Sequence, residues 1–261
     1  MIFNNIASTS KSILCFFIFI PFLISAQINE SDSLKIKASL SLTGFFQKGN
    51  VETFIFRAKS DFSFKPTKNL VFKTQNSYVY QAFGGDKADE DILSLNFLYL
   101  NTDRKFYPLL LGFISTNFRR EIDLRYLVGA GVTYQVFTKI DSWLKVALTT
   151  EYENTNFARS SFNKIEYNDN QEINTHRATI WMNGKYTLFK KKMIFNHELF
   201  FQPSLSESNN FRWQADLGLE LPIWKYLNFK INYLHTFESI VIENQKESDS
   251  TISFGFTLKN F

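Results

Sequence analysis

The chain has 261 residues, 29 Lys and Arg against 25 Asp and Glu, a formal net charge of +4, and 30 Phe within a hydrophobic content of 44%. So mild a charge leaves no electrostatic footprint for nucleic acid, and 10 Gly with 5 Pro exclude collagenous and low-complexity chains. The length suits one large β domain or two smaller ones.

The first 26 residues differ from the rest. Lys11 precedes the apolar run SILCFFIFIPFLISA, which ends at Ser25-Ala26 before Gln27. That pattern predicts a secretory signal peptide over 1–26 and a mature domain over 27–261. The run is too short for a comfortable membrane-spanning helix. Cys15 falls within it, so the expected mature chain has no cysteine for a disulfide, a thiolate metal site or a Cys nucleophile.

From residue 34 onward the hydrophobic period is two, which predicts strands. Twelve candidates lie near 34–47, 51–64, 70–83, 92–102, 106–118, 126–137, 143–153, 175–188, 193–203, 211–221, 227–237 and 250–260. In the second, Phe54, Phe56, Phe62 and Phe64 share one parity. Arg57, Lys59 and Asp61 share the other. Apolar stripes recur as Ile36, Ala38, Leu40 and Leu42 in the first, Leu93, Leu95, Phe97 and Tyr99 in the fourth, and Leu109, Leu111 and Phe113 in the fifth. The sixth carries Val128, Ala130, Val132, Tyr134 and Val136, the ninth Phe195, Leu199 and Phe201. The tenth carries Trp213, Leu217 and Leu219, and the last Ile252, Phe254, Phe256 and Leu258.

One alternative for such a pattern is a soluble sandwich with a charged exterior. Three features favour a membrane barrel. The strands exceed the usual 5–6 residues of soluble sheets and match a tilted bilayer crossing. Connections alternate: KPTKN, TDRK, TKIDS, FKKK and PIWKY are short, whereas GGDKADED, the run from Asn154 to Asn174, SLSESNN and ESIVIENQKESD are longer. Aromatic residues such as Phe106, Tyr107, Trp143, Trp224 and Tyr226 sit at strand ends, as interfacial girdles do. The expected fold class is therefore all-β, a transmembrane antiparallel barrel of outer-membrane type with about twelve strands. The Phe stripe then faces lipid, and Arg57, Lys59, Asp61, Lys73, Lys145, Arg177, Lys185, Glu198, Arg212, Asp216, Glu220 and Lys230 face the lumen as a candidate polar pore lining. Phe45, Trp181 and Phe200 also point inward by parity, which favours a mostly occluded lumen.

The stretch DLRYLVGAGVTYQVF from Asp123 to Phe137 resembles the Arg-Tyr-x-x-Gly-x-Gly-x-x-Tyr segment of a family of small outer-membrane barrels labelled salt-induced outer-membrane proteins. FFQKGNVETFIF resembles that family's early hairpin, with Lys48-Gly49-Asn50-Val51 in place of the usual Thr-Gly-Asn-Thr. The resemblance implies a barrel in the bacterial outer membrane and no established activity. One departure concerns the terminal aromatic common in such proteins: Phe261 is off the parity of Phe254, Phe256 and Leu258.

Catalytic signals are weak. His176, His197 and His235 share the lipid-facing parity, and none has a Ser two residues along, as a barrel-rim lipase would require. A His176–His197 contact lacks a third metal ligand. Asp86, Asp89, Glu90 and Asp91 cluster in one connection and read as a solvated acidic loop, with a Ca²⁺ site bridging lipopolysaccharide as the sharper alternative. No cofactor motif, metal set or catalytic residue emerges. The expected role is a non-enzymatic envelope barrel, either a narrow polar channel passing ions or small molecules or a structural barrel. Its expected partners are outer-membrane lipid, lipopolysaccharide and, during insertion, the barrel-assembly machinery. The alternatives are a rim enzyme of lipase or protease type and a soluble periplasmic lipid-binding β protein.

Overall fold

The computed structural model describes residues 30–31, 35–49, 52–139 and 141–259. The expected signal segment, Cys15 and Phe261 lie outside the described residues.

Twelve strands form: β1 (Ile36–Gln47), β2 (Thr53–Thr67), β3 (Leu70–Phe83), β4 (Asp86–Leu100), β5 (Phe106–Asn117), β6 (Ile122–Thr138), β7 (Trp143–Phe157), β8 (Glu172–Leu188), β9 (Met193–Pro203), β10 (Phe211–Trp224), β11 (Leu227–Glu238) and β12 (Ser248–Lys259). Each pairs antiparallel with its neighbours in sequence, and β12 pairs back onto β1, where Leu42 faces Phe256. The sheet closes on itself, so no strand edge is left with unpaired backbone groups. Closure rules out two stacked sheets. Among the described residues no helix is long and apolar enough to cross a membrane.

Several strands outrun their apolar pattern. β4 starts at Asp86 instead of 92, β6 at Ile122 instead of 126, β7 continues to Phe157 and β8 starts at Glu172. Strand ends at a barrel rim meet water on both faces, so hydrophobic alternation fades before the backbone pairing does. The expected acidic loop at 86–91 is consequently part of β4. The connection is the pair Gly84-Gly85, with φ of +60° and +89°. Two left-handed residues make a tight hairpin turn whose twist matches the strands, and glycine adopts that conformation without steric cost. Gln81 then faces Asp89 and Ala82 faces Lys87.

Side chains alternate between the two walls as a pleated strand demands. Leu42, Phe54, Phe62, Phe64, Val128, Val132, Phe254 and Phe256 are exposed on the outer wall. Lys37, Asp61, Lys73, Lys145, Glu151, Glu198 and Glu220 are buried on the inner one. β4 and β5 depart from the expected orientation. Leu95, Phe97, Tyr99, Leu109 and Leu111 turn inward and pack with Val71 and Tyr107 into an apolar block, against which Leu93, Phe113 and Ala147 also lie. Both parities of these strands carry apolar residues, because Ile92, Leu100, Phe106, Leu110 and Ile114 cover the outside. Pattern alone could not choose between them.

The end of the barrel opposite the start of β1 and the end of β12 is partly capped. The β7–β8 connection, which holds a short 3₁₀ turn at Ile165–Tyr167, pairs with the β11–β12 connection through Phe162 and Ile242. Ile122, Phe157, Phe162, Tyr167, Ile173, Ile240 and Ile242 bury one another there.

Candidate functional site: the lumen

The lumen is built in three layers. In the lower one, at the end that holds the start of β1 and the end of β12, Glu30 is buried inside the barrel. Its carboxylate accepts the Tyr107 hydroxyl proton at 2.7 Å and pairs with Lys145 at 3.0 Å, while Lys145 also donates to Ser31 Oγ at 3.0 Å. Lys73 and Thr133 line the same small cavity. The apolar block and Trp181 lie next to it, with Phe97 and Trp181 meeting edge to face at 6.3 Å between ring centroids.

The middle layer crosses the barrel. Arg57 and Lys59 on β2 reach Asp216 on β10 at 3.3 and 3.2 Å, and Lys59 lies 3.7 Å from Glu198 on β9. Gln75 on β3 donates to Asp61 at 2.8 Å and to Glu198 at 3.5 Å. β3 and β9 stand six places apart in the ring of twelve, so a single side-chain contact spans opposite walls. Asp61 also accepts from Ser39, and Asp216 from Asn232.

In the upper layer Glu153 holds Arg177 at 3.0 Å and Arg212 at 2.5 Å. Arg125 on β6 forms a two-pronged pair with Glu238 on β11, at 2.8 and 2.7 Å. A charge taken out of water needs this degree of pairing and hydrogen bonding to be tolerated.

All twelve sequence-predicted lining residues fall on the inner wall. The middle layer gathers Arg57, Lys59, Asp61, Glu198 and Asp216, and the upper layer gathers Arg177 and Arg212. Lys73 and Lys145 join the lower layer. Glu220 accepts from Asn196 and Asn228 at 3.0 and 2.7 Å, beside Lys230 in a separate small cavity. Lys185 lies inward, opposite Trp143 in the register. Sequence reasoning missed Glu30, Gln75, Arg125, Glu153 and Glu238. Gln75 is uncharged, Glu30 precedes the first strand, and the other three sit at strand ends whose extent was read short.

The histidines occupy the outer wall. His197 packs over Gly184, where any side chain would meet its ring, and stacks on Tyr186 at 5.6 Å. Because Gly184 is its register partner, His197 stands away from His176, and the contact considered between the two does not form. His235 Nδ1 lies 2.7 Å from Ser250 Oγ across β11 and β12. That Ser was invisible to a search along one strand. Tyr233 is its other polar neighbour, at 3.5 Å from the ring nitrogen. Among the described residues no group of three or more His, Cys, Asp or Glu could hold a metal ion.

A closed twelve-strand wall, apolar outside and ionic within, defines an outer-membrane-type β-barrel. The chain belongs to the family described as a protein of unknown function, DUF481, whose model matches residues 87–259. No curated protein matches it. Among solved structures, the NanC porin aligns over 85% of this chain and 99% of its own, with 8% identity and a TM-score of 0.52. The translocator domain of autotransporter NalP from Neisseria meningitidis aligns over 87% of each chain, with 12% identity and a TM-score of 0.45. The KdgM porin aligns over 86% of this chain and 99% of its own, with 10% identity and a TM-score of 0.43. At 8% identity the likeness to the NanC porin is one of fold alone.

Proposed function

We propose that the protein is a non-enzymatic barrel of the bacterial outer membrane whose lumen is closed at mid-height, so that it serves the envelope as a structural or binding element and not as a general pore. The observation that carries this reading is the Gln75–Glu198 contact between opposite walls, reinforced by Arg57, Lys59 and Asp216. Below it Phe97, Tyr99 and Leu109 fill the β3–β5 side of the lumen, while the β9–β12 side holds the small polar cavity of Asn196, Glu220 and Lys230. Outer-membrane lipid and lipopolysaccharide are the surroundings of the Phe-rich wall, and the barrel-assembly machinery its partner during insertion. A salt-induced role would fit such a barrel and is tested by following its expression across osmolarity.

The decisive experiment is planar-bilayer recording on refolded protein that shows heat-modifiable migration. The expected result is an absence of unitary steps. Regular steps at neutral pH would sink the closed-lumen reading and restore the narrow channel.

A further inference from the structure

Above the closed middle layer the lumen widens into a vestibule of about 1200 Å³, counting the space that opens to bulk solvent. Its two sides differ in chemistry. One side is apolar: Leu93, Leu95 and Phe113 from the inward-turned β4 and β5, joined by Trp181 and Phe200, whose rings lie 5.0 Å apart. The other side is ionic: Arg57, Arg120 and Arg212 stand there among Asp216, Asp249 and Glu238, and the six Lys and Arg of the lining exceed its five Asp and Glu by one.

Those three guanidiniums are already paired, yet each keeps a buried N–H without an acceptor: Nε of Arg57, Nη1 of Arg120 and Nη1 of Arg212. Arg120 and Arg212 are themselves 4% and 5% exposed. A buried donor without an acceptor costs free energy that an incoming acceptor recovers. Apolar wall left facing a water-filled cavity is likewise the usual mark of a ligand site. Arg212 also sits over the Phe113 ring at 5.9 Å, so the two chemistries meet at one point.

We propose that the vestibule is a binding site for an organic anion with a flat apolar body, taken up from the outer rim. The body lies against Trp181, Phe200 and Phe113. The carboxylate or sulfonate end meets Arg120 and Arg212, whose planar forks suit such oxygens. The floor made by Gln75 and Glu198 holds the ligand instead of passing it, and in that clause the inference rests on the closed-lumen reading.

The test uses full-length mature protein refolded into lipid nanodiscs, titrated calorimetrically with 2-naphthoate, the neutral 2-naphthamide and acetate, with empty nanodiscs as the blank. Saturable binding of naphthoate is expected, roughly tenfold tighter than the amide, with acetate lacking the body and failing to bind. Arg120→Gln, at the rim and outside the Glu153 cluster, should remove that tenfold preference while leaving the amide unchanged. Phe200→Ala should weaken both aromatic ligands several-fold. Equal affinity for acid and amide, or no saturable binding by a heat-modifiable sample, overturns the site. Escape of naphthoate from protein-containing vesicles faster than from protein-free ones would instead overturn the closed floor, with the site still supported by its binding.

Discussion

At the residue scale, Glu153 carries the most consequence, because one carboxylate pairs with both Arg177 and Arg212 inside the barrel. Removing one partner of a buried ionic cluster strands the remaining charges, at a cost of about 3–5 kcal/mol. Glu153→Gln should therefore lower the urea midpoint for unfolding in detergent micelles far more than Asp103→Asn, an exposed carboxylate paired with Lys65 at 3.5 Å. Equal effects of the two would mean that the guanidiniums are solvated. Outside the wall, Glu121 clamps the cap through Arg159 and accepts from Gln245. The Arg159 hydrogen bond holds the Glu121 carboxyl below the usual carboxylate range. A depressed folded-state pKa contributes stability above the unfolded value and loses it as pH falls through the folded one. Proteolysis within 158–171 should consequently accelerate as pH drops from about 5 to about 3, and Glu121→Gln should abolish that dependence. A pH-independent cleavage rate in the unsubstituted protein would remove the clamp from the account.

At the element scale, β9 was legible to the residue, since Met193–Pro203 matches the window read from alternation. Its apolar outer parity and polar inner parity leave one solution. β4 was legible as a strand but not in its orientation. With Leu93, Leu95, Phe97 and Tyr99 turned inward, the parity shared with Ile92 and Leu100 places Ser94 and Asn96 on the outer wall, next to Thr74 and Asn76 of β3. Each Asn satisfies one donor locally, Asn76 on Thr74 and Asn96 on Ser94, both at 3.1 Å. Hydrocarbon offers nothing for the remaining polar atoms. Asn76→Leu and Asn96→Leu should thus each raise stability in lipid, by about 0.5–2 kcal/mol in reversible urea unfolding. A loss of stability would show that something polar covers this stretch of wall. The β3–β4 turn is the other test at this scale. Gly84→Ala and Gly85→Ala force a β-carbon into a left-handed conformation, worth about 1 kcal/mol each, and should slow refolding of the barrel. The doublet itself was visible in the sequence, but the acidic residues after it read as loop because charge masked a strand at the rim.

At the scale of the whole molecule, the proposed closed lumen is a set of barriers in series. Gln75 and Glu198 meet across the middle layer, Phe97, Tyr99 and Leu109 fill the β3–β5 side below it, with Trp181 against Phe97, and Glu30 with Lys145 and Tyr107 occupies the lower end. A series of barriers conducts only as well as its worst element. Gln75→Ser with Glu198→Ser removes the contact between opposite walls but leaves the Arg57 and Lys59 pairs with Asp216 across the lumen. That double variant should remain silent in planar bilayers. Phe97→Ala with Trp181→Ala alone should also remain silent, because the ionic crossing above it persists. The four substitutions together, with Asp216→Ser in the middle layer and Glu30→Ser at the lower end, should produce unitary steps in protein that keeps its heat-modifiable migration. Current from the first double variant alone would locate the whole obstruction in the Gln75–Glu198 layer and make the apolar block wall lining, not gate.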